Sequence, residues 1–334
     1  MRFKLLIIFT ANIYYPQISK LNKFHLFVLY FLIAFLFFWV FYLGPKKQES
    51  ENNVAIVHRD NGNTFTVTIP DHKHQIFETP KKIFFAGEEV PLDLQDIKER
   101  YEREIYVNAY WQSNTILLLK RAPKYLSIIE GVLKKNNIPE DFKYVAIAES
   151  GLLNVTSSAG AKGFWQIMPA TAKEYQLEIS DEVDERYHLE KSTEAACKYF
   201  RSAYSRFGSW TAVAASYNMG MSGYQKRKQE QKFESYFDLF LNEETSRYVF
   251  RILAFKAIFE NPEAFGYDLP KSELYQHYPM RELKVNQSIP DLATWAIKHH
   301  SNYKYLKIHN PWLRDKKLTV AKGKSYIIKL PLQK

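Results

Sequence analysis

Cysteine is nearly missing from this chain: Cys197 is the single one in 334 residues. An internal disulfide is excluded, and no second thiolate is present to share a metal, so an inert helical thiol is expected. The nine histidines do not fall at ligand spacing, and His72, His74, His299 and His300 read as surface residues. No glycine-rich phosphate loop occurs. Neither a cofactor nor a metal is expected. Blocks of one charge are also lacking, because the net charge of +10 is spread along the chain. Such a surface is mostly solvated, and it favours approach to an anionic polymer.

Apolar sequence, by contrast, is abundant: 46% of the residues are hydrophobic and 16% aromatic, enough for a packed core and about two domains. Part of it is concentrated in Phe24 to Leu43, a run of 20 residues without a formal charge. That length predicts a helix crossing a bilayer core. Arg2, Lys4, Lys20 and Lys23 precede it with no acid among them, which puts the N-terminus in the cytoplasm and everything after Gly44 outside, in the periplasm. The run exceeds a signal-peptide core and no small-x-small cleavage site follows it, so a retained single-pass anchor is expected. An exported chain would seldom meet nucleic acid, which is not expected as a partner. The sequence names no protein partner.

Residues 46–63 are charged and polar and read as a tether, and Thr64 to Ile69 alternates as a strand does. Helical periodicity then predicts helices over Asp93 to Lys120, Pro123 to Lys135, Pro139 to Ser150, Ser192 to Phe207 with Ser192 as N-cap, Trp210 to Tyr217 and Glu243 to Phe259. An acidic connection, Ile179 to Tyr187, precedes the fourth of these. The tail reads strand, helix, helix, strand.

The stretch around which the rest is organised is Ala146 to Pro169, AIAESGLLNVTSSAGAKGFWQIMP. Glu149 falls at the C-terminal end of its helix. The negative end of the helix dipole and the apolar neighbours Val145, Ala146 and Ala148 both disfavour the ionised form, so the carboxyl should hold its proton toward neutrality, as general acid catalysis requires. The run from Gly151 to Gly163 has little bulk and can approach a ligand closely. Phe164, Trp165 and Met168 flank Gln166, an arrangement that suits sugar rings. Taken alone, an isolated Glu-Ser pair reads first as a frayed acidic helix end followed by a surface loop.

The whole string resembles the E-S and S-x-x-G-A-x-G-L-[MW]-Q-[IF]-M-P motifs of the lytic murein transglycosylases, glycoside hydrolase family 23, and within it the membrane-bound murein transglycosylase D group. Ala214-Ala215-Ser216-Tyr217-Asn218-Met219-Gly220 is similar to the third family motif and Glu244-Thr245-Ser246-Arg247-Tyr248-Val249 to the fourth. The likeness runs from about Phe84 to Phe259. It implies an all-α, lysozyme-like (goose-type) catalytic domain, here placed at 93–270 after a cytoplasmic stub and transmembrane helix at 1–45 and a tether with short strands at 46–92. Residues 281–334, with Asn310-Pro311 and Gly323-x-x-Tyr326-x-Ile328-x-Leu330-Pro331, resemble a degenerate LysM module, a small α+β glycan-binding fold; an extension merely packed on the catalytic domain is the alternative.

The resemblance also assigns roles. Glu149 would be the sole acid and base, cleaving the bond between N-acetylmuramic acid and N-acetylglucosamine in peptidoglycan, the expected partner. Ser150, Ser157, Gly163, Phe164, Trp165, Gln166, Met168, Tyr217 and Asn218 would line the groove, Ser157 toward the acetamido group and Tyr217 steadying the transition state, a core aromatic being its competing role. Glu244 would be a second buried acid that orients neighbours or else an N-terminal helix acid acting on the dipole. Ser246 stands where relatives often carry Arg, so the partner of Glu244 would be lost or supplied by Arg247. Most glycosidases need two carboxylates about 5–9.5 Å apart. One is offered here, which fits substrate assistance; a hydrolytic muramidase and an inactive glycan-binding protein are the rival expectations.

Overall fold

The computed structural model describes residues 76–332 and, as backbone only, Val54–Asp60 and Asn63–Ile69. The anchor predicted over Phe24 to Leu43 lies outside the described residues, among which no helix is long and apolar enough to cross a membrane. Strands β1 (Val54–Asp60) and β2 (Asn63–Ile69) form an antiparallel hairpin, Asp60 opposite Asn63. Val54–Asp60 and Asn63 of the expected tether are therefore strand. The residues between the two strands are Asn61-Gly62, a hairpin signal that the charged flanks masked.

From Phe77 on, the chain is one compact unit. After a two-residue ladder, β3 (Phe84–Phe85) with β4 (Glu88–Glu89), eight helices follow: α1 (Gln95–Tyr110), α2 (Gln112–Lys135), α3 (Lys143–Ser150), α4 (Pro169–Glu174), α5 (Leu189–Phe207), α6 (Trp210–Met219), α7 (Met221–Gln231) and α8 (Glu243–Glu260). The break expected before Pro123 falls instead at Trp111, where the backbone leaves the helical region and the Thr115 hydroxyl donates to the Asn108 carbonyl at 2.6 Å. Pro123 stays inside α2 on an exposed face, at the cost of one ladder bond. Ser192 is likewise not the cap of α5. The helix starts at Leu189, and the Ser192 hydroxyl donates back to the Leu189 carbonyl at 3.1 Å.

Helix α8 is the axis of the unit. It packs against α1, α3 and α6, and its Val249, Phe250, Ile252 and Ala254 are fully buried. Ala212, Ala214 and Ala215 carry little bulk, which lets α6 come close to both α5 and α8.

The tail has the expected element order. Strand β5 (Met280–Val285) pairs antiparallel with β6 (Tyr326–Pro331), and α9 (Leu292–Lys298) and α10 (Tyr303–His309) lie between them in the chain. Leu292, Leu306, Leu313, Ile328 and Leu330 form a core of its own. That core is shared, because Val183 and Tyr187 from the acidic connection are part of it. The Asp184 amide donates to the Trp312 carbonyl at 2.9 Å and the Arg314 amide to the Glu182 carbonyl at 2.8 Å. Ion pairs Glu178–Lys324 (2.6 Å) and Glu182–Lys317 (3.2 Å) close the seam, and the Arg314 guanidinium sits 4.3 Å from the centre of the Tyr187 ring. The tail is thus fixed to the helical unit.

Candidate active site

Helix α3 owes its position to Tyr144, Val145, Ala146 and Ile147, all buried, and its end to Gly151, whose left-handed backbone (φ 58°) lets its amide donate to the Ile147 carbonyl. Glu149 is held in the last turn, half-buried but hemmed in by protein. The phenol of Tyr248 on α8 donates to its Oε1 at 2.5 Å. Burial pushes the Glu149 carboxyl up to about 7, although the Tyr248 hydrogen bond and the Arg251 charge pull it down; Glu244 adds a small upward push. The direction is the expected one. Its main cause is burial by the whole fold.

The loop after Glu149 is braced at several points. Ser150 Oγ donates to the Phe164 carbonyl at 2.8 Å, Arg121 Nη1 to the Gly151 carbonyl at 2.6 Å, and Gln166 Nε2 to the carbonyls of Gly163 (2.8 Å) and Val155 (3.1 Å). Ser157 Oγ accepts the Ala161 amide at 3.0 Å, closing the tip. Below it, the buried Arg186 guanidinium pairs with the buried Asp184 at 2.8 Å and donates to the carbonyls of Gly160 and Ile167 at 3.0 and 3.3 Å. Gly163 has φ 78°, and a Cβ there would come within 2.0 Å of the Arg186 carbonyl oxygen. Glycine is required at that point by close backbone approach rather than by a ligand.

Several expected groove residues sit elsewhere. Trp165 is fully buried, its indole N–H donating to Thr193 Oγ1 at 2.8 Å, and Phe164 is buried edge-on against Tyr125. Both rings gain more from the core than from a sugar, and Met168 alone of the flanking apolar side chains is exposed. Glu244 is not a buried acid: its side chain is 57% exposed, because the first turn of α8 opens to solvent. Its partner is neither residue 246 nor Arg247 but Arg251, two helical turns on, at 3.0 Å. Tyr217 packs on Tyr199 and Phe200 and donates its hydroxyl to the Trp165 carbonyl at 2.7 Å; Glu149 still acts on it through charge. Asn218 Oδ1 accepts from Thr245 Oγ1 at 2.7 Å, one turn before Tyr248 on α8.

Sequence reasoning missed Tyr248 and Arg251. The signal was there in the fourth motif and the two residues after it, since Glu244, Tyr248 and Arg251 recur at helical spacing and share one face. Arg247 and Arg251 also converge on Glu104 of α1, which is buried, at 2.7 and 3.7 Å. Removing the Tyr248 hydroxyl takes away a stabiliser of the Glu149 anion, so Tyr248→Phe should raise the Glu149 pKa by about one unit. Titration followed by NMR of labelled Glu149 checks this; an unmoved or lowered pKa would refute it.

Residues 127–240 match the Transglycosylase SLT domain, and residues 281–334 match the soluble lytic transglycosylase C-terminal LysM-like domain. Membrane-bound lytic murein transglycosylase D of Escherichia coli K12 is 30% identical over 198 residues, 57% of this chain and 43% of that protein. The chain thus spans less than half the length of this curated relative. Among solved structures, the 70 kDa soluble lytic transglycosylase of Escherichia coli overlaps 53% of this chain and 33% of its own at 18% identity (TM-score 0.37). Lytic transglycosylase Slt of Pseudomonas aeruginosa overlaps 45% and 25%, also at 18% identity (TM-score 0.35). The chain is homologous to lytic murein transglycosylase D and carries a helical SLT transglycosylase domain followed by a LysM-like C-terminal domain.

Proposed function

We propose that the protein is a peptidoglycan lytic transglycosylase in which Glu149 alone serves as acid and then as base. The observation that carries this reading is the Glu149 carboxyl itself, partly accessible, bonded by one phenol and pushed up to about 7. Near neutrality such a group is divided between acid and carboxylate, which is what two successive proton transfers need. Protonated Glu149 gives its proton to the oxygen linking N-acetylmuramic acid to N-acetylglucosamine, and the C1–O bond breaks while the acetamido oxygen of the same sugar shields C1. The carboxylate then takes the proton of the C6 hydroxyl, O6 bonds to C1, and a 1,6-anhydro end is left without consumption of water. The other carboxylate whose charge bears on Glu149 is Glu244, and it is held by Arg251, which favours this route over one with two free acids.

In the same reading, Ser150, Gln166, Tyr217 and Asn218 shape the groove by holding the loop and α6 beside Glu149, while Ser157 and Met168 meet the strand at the loop surface. Residues 93–270 are the catalytic domain, 281–334 the attached module and 1–45 a single-pass anchor that leaves the enzyme facing the periplasm. Mass spectrometry of fragments released from purified sacculi is the test. Anhydro ends are expected, whereas free reducing ends would make the protein a hydrolytic muramidase.

A further inference from the structure

Between α2 and the loop after Glu149 on one side and the tail on the other lies a cavity of about 440 Å³, within the usual size of ligand sites, roughly 300–1,000 Å³. It exists only because the tail is fixed in place. Its lining argues against a sugar. Trp312 is 4% exposed, stacked between His188 and Tyr326 with ring centres 5.9 and 5.4 Å away, and Phe164 is 3% exposed under Tyr125. Sugar rings are held on open aromatic faces, and here those of Trp312 and Phe164 are used up in packing, while the half-buried Tyr125 meets Phe164 and His277 edge to face.

What the cavity leaves open is aliphatic and charged. Ile308 and Ile327, both from the tail, are 51% and 40% exposed. Glu282 and Lys329 lie 3.7 Å apart, and Lys329 also pairs with Glu190. Lys124, on α2, makes no ion pair with a carboxylate among the described residues, and its charge bears on His277 and His309. Burial first and Lys124 second hold both imidazoles below the usual histidine range, so they are neutral near pH 7 and can donate or accept. Small apolar contacts beside separate charges of both signs suit a short peptide with ionised groups.

We propose that this cavity seats the peptide stem carried by the glycan strand, with a stem carboxylate on Lys124 and its small side chains against Ile308 and Ile327. The proposal rests on the reading of the chain as a peptidoglycan enzyme. Asn154 and Phe164 line the cavity and belong to the loop that leaves Glu149, so a seated peptide and a strand at Glu149 would share one wall. Lys124 and Ile308 would then act on which strands are engaged, not on the bond-breaking step.

The test is calorimetric titration of the full chain carrying Glu149→Gln with a disaccharide-tetrapeptide from the wall and with the same disaccharide stripped of peptide. The peptide-bearing fragment should bind about tenfold tighter, and Lys124→Glu should remove that advantage without changing the affinity for the stripped fragment. Ile308→Asp, at an exposed position, should do the same from the opposite wall. Equal affinity for the two fragments in the parent overturns the proposal, as does a loss that is the same for both. Failure of the unsubstituted chain to open glycan strands would instead sink the catalytic reading, while leaving a peptide-dependent difference in affinity measurable.

Discussion

Glu149→Gln is expected to lower turnover of purified sacculi about a thousandfold while glycan affinity stays within a few-fold of the parent. Gln keeps the shape of the side chain and can still accept from Tyr248, but it has no proton to give the leaving oxygen, and a positioned general acid contributes about 10²–10⁴ in rate. The same substitution has a stability signature of opposite sign. With a carboxyl pKa of 4.5 when unfolded and about 7 when folded, the folded chain holds this proton more tightly. The stabilisation from that proton is complete below pH 4.5 and is lost as pH rises through about 7, above which the fold carries an ionised group in an unfavourable place. Gln is neutral throughout. The variant should therefore match the parent below pH 4.5 and exceed it above pH 7 by up to about 3 kcal/mol. Denaturant unfolding at pH 4 and pH 8 reads this directly; a variant less stable than the parent at pH 8 would show that the carboxylate is welcome where it sits. In catalysis the same titration should give an alkaline limb near pH 7, and a profile flat to pH 9 would remove Glu149 from the role of acid.

Asp184→Ala should cost about 3–5 kcal/mol, because it leaves the Arg186 guanidinium buried without its counter-charge. Both residues are buried, and the pair is bidentate in effect: Arg186 Nε and Nη2 donate to Asp184 Oδ1 and Oδ2 at 2.9 and 2.8 Å. Burial alone would push the Asp184 carboxyl up; the hydrogen bonds and charge of Arg186 outweigh it and hold the group below its usual range. The consequence is local as well as global. Arg186 Nη1 is what ties Gly160 and Ile167 together across the loop, so its release should loosen the wall beside Glu149 and lower activity together with stability. A fall in Tm of roughly 10 °C is expected, against a shift of 1–2 °C for Asp181→Ala, an exposed acid three residues earlier. Equal shifts for the two would mean that the pin contributes nothing beyond surface charge.

Arg186 also shows why sequence reading reached some residues and not others. In the chain it stands in an acidic connection, Ile179 to Tyr187, and nothing local says that it turns inward. Besides the neighbouring Asp184, its role is fixed by the carbonyls of Gly160 and Ile167, 26 and 19 residues away. Tyr248 is similar: it was visible as one letter of a motif, but only the packing of α8 across α3 brings its hydroxyl to Glu149. Trp165 and Phe164 were misread for the converse reason. A large aromatic beside a loop can stack on a sugar or fill a core, and the choice depends on whether a buried partner such as Thr193 is waiting for the indole N–H.

The strand, helix, helix, strand order of the tail was written in its hydrophobic periodicity, as were the helices α5, α6 and α8, because each buries one stripe and repeats at the spacing its backbone imposes. The place of Glu149 in the last turn of α3 was equally local, set by four apolar neighbours and the glycine that ends the helix. What no stretch of sequence could decide was the company each side chain keeps. Burial of Glu149, the phenol that meets it, the exposure of Glu244 and the seam between tail and helical unit all arise from contacts between segments far apart in the chain. Periodicity along the backbone specifies which face a residue occupies, whereas only the packed fold specifies what lies opposite that face.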